Sequence, residues 1–196
     1  MPTTTLRELN GFDQTPASLA GSTLIMVDYQ NTYTRGVMEL TGWDAALDAA
    51  ADLLARARAA GARVVHVVND GGAGSPYDIR AEIGAIHPRV APADGEPVVV
   101  KHTPNAFLDT DLAEHVDAAG GKDVVIAGFM THMCVLATAQ GAFLRGNRPT
   151  VVADASATRP LRTAVAEVPA EQIHHGALAT VSDLYGVVVP SASALS

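Results

Sequence analysis

The sequence predicts a three-layer α/β fold, with helices on both faces of a mainly parallel, six-stranded sheet. Three observations lead there. Six short apolar runs rich in β-branched residues recur along the chain without alternating with polar residues. Such runs suit strands covered on both faces. Segments of helical spacing fall between them. No internal repeat, low-complexity tract or linker divides the 196 residues, so 1–196 reads as a single domain.

Residues 1–20 are mixed and polar, punctuated by Gly11 and Pro16, and read as an N-terminal arm or lid rather than core. The first strand is Thr23-Leu24-Ile25-Met26-Val27, ending at Asp28. Trp43, Ala46, Leu47, Ala50, Leu53, Leu54 and Ala57 then recur three and four apart, giving one apolar helical stripe. Thr41 with Asp44 resembles a capping box, and Gly61 stands where that helix stops. The second strand, 63–68, runs into Asn69-Asp70-Gly71-Gly72, and the third, 97–100, into Lys101-His102. Leu108, Leu112 and Val116 form a second stripe, closed by Gly120-Gly121. The fourth strand, 123–127, ends at Gly128, and a helix beginning near 131–134 carries on to Arg145. The fifth strand, 149–153, ends at Asp154; a helix over 171–184 and a strand over 186–189 complete the series.

Composition narrows the function. Lys plus Arg number 13 against 21 Asp plus Glu, a formal charge of −8. An acidic chain is a poor partner for nucleic acid or an anionic membrane surface. No apolar run approaches the roughly 18 residues of a membrane span. The segment Met1-Pro2-Thr3-Thr4-Thr5 lacks the regions of a signal peptide, so a cytoplasmic location is expected. A single cysteine excludes an internal disulfide and a multi-cysteine metal site.

In open parallel sheets the site lies at the carboxyl ends of the strands. Asp28 and Lys101 fall there, and Cys134 falls in the first turn of a predicted helix. The nucleophile is a thiolate, whereas a free thiol titrates near ~8.5. A helix amino terminus and a nearby lysine both favour the thiolate. A carboxylate such as Asp28 is suited to take the thiol proton and return it to a leaving group. Taken singly, each residue also has a plain structural reading: a buried small hydrophobe, a helix cap, a solvated cation. Gly71-Gly72-Ala73-Gly74 lacks the spacing of a dinucleotide fingerprint.

The ordered set carries more weight. Gly128-Phe129-Met130-Thr131-His132-Met133-Cys134-Val135 resembles the nucleophile signature of the isochorismatase-like cysteine hydrolases. Val27-Asp28-Tyr29-Gln30-Asn31-Thr32-Tyr33 looks like their Asp-x-Gln-x-x-Phe motif, with Tyr33 in the aromatic place. Val100-Lys101-His102-Thr103-Pro104-Asn105-Ala106-Phe107 looks like their lysine segment. The resemblance spans about residues 22–190. It implies a catalytic triad of Asp28, Lys101 and Cys134 and a Rossmann-like sheet of order 3-2-1-4-5-6. It also implies a cis peptide between Phe129 and Met130, and an oxyanion hole made by the N–H groups of Met130 and Cys134. In that order the third strand lies about 10 Å from the first, so Lys101 has to reach inward across the sheet top.

The same resemblance implies a hydrolase that opens a small amide, lactam or ureido/carbamoyl substrate through a thioester, and a homo-oligomer, dimer or larger. Gln30, Tyr33, Phe107, Phe129 and His132 are the candidate substrate-binding residues. Family members that bind a metal carry an Asp-x-His pair after the second strand; none follows Asp70 here, so neither metal nor other cofactor is expected. Two alternatives remain: a vinyl-ether hydrolase that does not need the thiol, and a non-catalytic binding protein on the same fold. Arg159 and Arg162 read as subunit-surface residues, and Tyr77 as part of a lid loop.

Overall fold

The computed structural model describes residues 3–196. Met1 and Pro2 of the expected arm lie outside the described residues. The arm forms a short helix, α1 (Leu6–Leu9), before the first strand, β1 (Thr23–Val27). It is not a lid. Ala17 and Leu19 are buried in the core, the Ala17 N–H donates to Thr150 Oγ1, and the Leu19 N–H donates to the Ser196 carbonyl. These contacts tie the arm to the start of β1, the end away from Asp28.

Helix α2 (Trp43–Ala59) leads to β2 (Arg63–Asn69), and β3 (Val98–Lys101) follows a long loop. Helix α3 (Leu112–Asp117), β4 (Asp123–Gly128) and α4 (Leu136–Leu144) come next. Strand β5 (Arg148–Val152), α5 (Ala170–Thr180) and β6 (Val187–Val189) complete the sheet. All its pairings are parallel, in the order β3-β2-β1-β4-β5-β6. A two-stranded hairpin over residues 161–168 stands apart from it.

Alternation along β1 divides the core. Leu24 and Met26 face α2 residues Leu47, Leu53 and Leu54, while Ile25 and Val27 join Leu112, Val116 and Ala139 on the other face. Continuous β-branched runs therefore bury both sides of the central strands. The run that becomes β3 departs from that expectation. It lies at the sheet edge, with Val98 and Val100 exposed and Val99 and Lys101 buried.

Local signals are less sharp at two helix starts. Thr41 gives its N–H to the Thr158 carbonyl, and Gly42, in a left-handed turn at φ +73, becomes the N-cap of α2 without a side-chain cap. Leu108 is exposed and lies outside α3, which starts only at Leu112. No helix among the described residues is long and apolar enough to cross a membrane.

The junction of β1 and β4 is close-packed. Gly128 sits at φ +155, and a Cβ there would lie 2.1 Å from the Val27 carbonyl oxygen. Gly128→Ala is expected to cost about 3 kcal/mol or more, through overpacking and a disfavoured backbone conformation. Urea unfolding would read it; a midpoint within error of the wild type would contradict this packing.

Candidate active site

Strand order reverses between β1 and β4, and the crevice at their carboxyl ends collects the reactive residues. Asp28 follows β1 directly in the left-handed region, at φ +53, and its N–H donates to the Val67 carbonyl. A non-glycine residue takes that conformation only where its surroundings enforce it. Here the turn is pinned from the far side: His87 donates its N–H to Tyr29 O, and Asn31 donates to Ala85 O.

Cys134 lies in a π-helical turn, Thr131–Val135, that leads into α4. A cis peptide joins Phe129 to Met130 just before it. The thiol is 6% exposed, while Asp28 and Lys101 are fully buried. Lys101 closes the group from the sheet edge. Its stem crosses the end of β2 and brings Nζ to 2.7 Å from Asp28 Oδ2 and 3.3 Å from Cys134 Sγ. Besides that ion pair, the Cys134 thiol is the one side chain whose hydrogen bond acts on the Asp28 carboxylate, which accepts from no other group among the described residues. The three residues thus form one cluster, with free acceptor capacity on the acid.

Burial adds to the electrostatics of the site what the sequence does not encode. Burial pushes the Cys134 thiol up to about 12; the Asp28 charge adds to this, and Lys101 only partly offsets it. Burial thus favours the thiol over the thiolate at this sulfur. Burial also raises the Asp28 carboxyl above its ordinary value, although Lys101 pulls it down. Burial works against the Lys101 ammonium, but Asp28 and Cys134 outweigh it and raise its pKa. The pair holds a charged lysine beside a carboxylate that takes up protons more readily than a solvated one.

The other candidates divide. Tyr33 is buried close enough to the group that Asp28 and Cys134 add to the upward shift caused chiefly by burial. Its ring meets Tyr77 edge-on at 5.7 Å and Phe129 at the same spacing. Phe129 is fully buried under these rings and also meets Tyr29, so it is a floor rather than an open contact. His132 sits half-buried on the nucleophile turn with Nδ1 2.6 Å from Thr158 Oγ1. Burial and the Arg159 guanidinium hold it below the ordinary imidazole value.

Two expectations about substrate contacts are corrected. Gln30 is fully buried and spends its amide on main chain: Nε2 donates to Asn69 O and Gly84 O, and Oε1 accepts from Asn69 N–H. It is a brace, with no donor left for a substrate. Phe107 packs with the α3–α4 layer, and the Arg145 guanidinium covers its ring at 5.3 Å. Arg145 caps the far end of α4, away from Cys134.

Tyr77 and Arg159, read from sequence as a lid-loop and a subunit-surface residue, both lie near the group. Tyr77 is half-buried on a loop knitted by Asp78, which accepts from the N–H groups of Gly74 and Arg80. Burial raises the Tyr77 phenol; the charges of Cys134 and Asp28 act on it as well, and that of Arg159 acts oppositely. Arg159 is itself half-buried, and its Nε has no partner among the described residues. Its only sequence signal is its place shortly after the fifth strand end, beside Thr158. His87 lies against Trp43, and no cluster of three or more potential metal ligands occurs among the described residues.

Comparison with known proteins accords with this architecture. The family model for the isochorismatase domain matches residues 22–193. A secreted isochorismatase effector of Verticillium dahliae is 34% identical over 94% of this chain and 96% of its own. A streptothricin hydrolase of Streptomyces noursei is 38% identical over 69% of this chain and 54% of that protein. Among solved structures, an isochorismatase from Pseudomonas putida KT2440 superposes with a TM-score of 0.95 at 38% identity, covering 100% of both chains. With the sheet order and the matched span in agreement, the chain belongs to the isochorismatase family of hydrolases.

Proposed function

We propose that this protein is a metal-independent cysteine hydrolase of a small amide, lactam or ureido/carbamoyl compound, acting through a thioester on Cys134. One observation carries the reading: a buried thiol, ammonium and carboxylate meet at the sheet's switch point. A similar chain named streptothricin hydrolase supports it.

The steps follow from the charges. Asp28, ionised beside Lys101, takes the thiol proton as Sγ bonds to the substrate carbonyl carbon. A thiol pushed up to about 12 is not ionised in advance, so proton transfer and attack are coupled. The oxyanion is received by the N–H groups of Met130 and Cys134, donors typically worth about 3 kcal/mol each in the barrier. The tetrahedral carbon then releases nitrogen, which takes the proton from Asp28, and a thioester remains. Water attacks that carbonyl and gives a proton to Asp28. The C–S bond breaks, the acid product leaves, and Asp28 returns the proton to sulfur. Lys101 stays charged throughout and steadies the carboxylate and the departing thiolate.

Tyr33, Tyr77 and His132 line the approach, and Arg159 meets the substrate end remote from the scissile bond. A half-buried guanidinium whose Nε has no partner among the described residues favours a substrate bearing a carboxylate there. Intact-mass spectrometry across amides, lactams and ureido compounds tests the reaction: a substrate-sized acyl adduct on Cys134 is expected, and turnover without any adduct would sink the thioester. Arg159→Met is expected to raise KM for carboxylate-bearing amides by about 10- to 100-fold. Its kcat should stay within a few-fold; equal losses for uncharged amides would remove Arg159 from the substrate's anionic end.

A further inference from the structure

Lys101 has three ammonium protons, and three acceptors surround its nitrogen. Asp28 Oδ2 lies at 2.7 Å, Cys134 Sγ at 3.3 Å and Asn69 Oδ1 at 3.5 Å. The mechanism above uses the first two and leaves the third unexplained. Asn69 ends β2 in register with Lys101, on the strand that the lysine stem has to cross. Its main chain is clasped on both polar groups. The N–H donates to Gln30 Oε1 at 2.9 Å, and the carbonyl accepts from Gln30 Nε2 at 3.0 Å. Gln30 is anchored in turn by the Gly84 carbonyl at 2.7 Å.

We propose that Asn69, clasped by Gln30, is a positioning residue that holds the Lys101 ammonium between Asp28 and Cys134. This rests on the triad reading above. Valence and charge both favour it. A buried ammonium with an unpartnered proton carries a desolvation cost, and its flexible stem can swing to relieve it. An amide oxygen takes that proton without adding charge. A carboxylate at the same place would also take it, but would add negative charge close to sulfur and disfavour the thiolate. The other ionisable groups around the sulfur do not substitute for it. The phenols of Tyr33 and Tyr77 are pushed upward chiefly by burial, and burial with Arg159 lowers His132 from its ordinary value. Asp70, next along the loop, faces Arg80 at 3.3 Å.

Cys134 is the only cysteine, so alkylation of the intact protein by iodoacetamide reports this sulfur alone. Rates would be followed by intact mass from pH 6 to 10 for the wild type, Asn69→Asp, Asn69→Ala and Gln30→Met, with a melting curve for each. Asn69→Asp is expected to slow alkylation at pH 8 by about tenfold, displacing the rate–pH line upward by about one unit. Asn69→Ala and Gln30→Met are expected to slow it several-fold. A merely structural role would lower Tm and leave the rate–pH line in place. Wild-type lines in both Asn69 variants, or faster reaction in Asn69→Asp, would overturn the proposal. If Asn69→Asp does not fold, the lines of Asn69→Ala and Gln30→Met decide between the two outcomes. No substrate is needed, so the two readings fail separately: displaced lines without turnover of any amide would uphold Asn69 and sink the hydrolase mechanism. Unmoved lines with a normal acyl adduct would do the reverse.

Discussion

Cys134→Ala is expected to abolish the acyl adduct and to lower turnover of an amide substrate by about 10⁴-fold or more, the scale on which loss of a nucleophile acts. The expectation follows from geometry. In the proposed mechanism the sulfur is the nucleophile; it lies 3.3 Å from the Lys101 ammonium, and removing it leaves an acid and a cation with nothing to activate but water. Stability should change little, by about 1 kcal/mol, because the side chain is small and sits at the edge of the α4 layer. Low activity with an unfolding midpoint only slightly lowered would separate chemistry from folding. The same variant distinguishes the alternatives. A vinyl-ether hydrolase, which needs acid catalysis but no thiol, would keep most of its activity in Cys134→Ala and lose it in Asp28→Asn. A binding protein would turn over no substrate in any form.

The skeleton of this site is legible in the sequence because strand ends are. Asp28, Lys101 and Cys134 each follow or neighbour an apolar run, and a parallel sheet brings such positions to one edge. What each side chain does there depends on depth, which periodicity does not encode. Gln30, in the Asp-x-Gln motif that the resemblance rests on, reads as orienting Asp28 or binding substrate, and the loop over 81–87 folds back and takes up its amide. Phe107 reads as apolar lining because it closes the segment that resembles the family's lysine motif, whereas its ring packs under Arg145 at the far end of α4. Arg159 reads as a surface cation because no neighbour in sequence marks it as half-buried. The thiol's ionisation is hidden for the same reason. A helix amino terminus and a lysine are visible in the sequence, but the desolvation that outweighs them belongs to the packed fold.

Depth also governs the second large effect. Lys101→Met is expected to lower kcat/KM at pH 7 by about 10³-fold and to move the acid limb of its pH profile upward. Asp28 is an effective base only when ionised. Burial has already raised its pKa, and the Lys101 charge is the main force holding it down. Without that charge the carboxyl titrates higher still, so the ionised fraction at neutral pH falls and activity recovers only as pH rises. Stability has the opposite sign. A carboxyl whose folded pKa lies above its unfolded value favours the fold fully below the unfolded value, and that contribution is lost as pH rises through the folded value. Lys101→Met should therefore be nearest wild-type stability in mild acid and fall behind it toward alkaline pH, where Asp28 must ionise unpaired. Paired urea-unfolding and rate profiles between pH 5 and 9 would read both trends. An acid limb that stays in place would show that Lys101 does not set the ionisation of Asp28, and the ammonium would then act on sulfur alone.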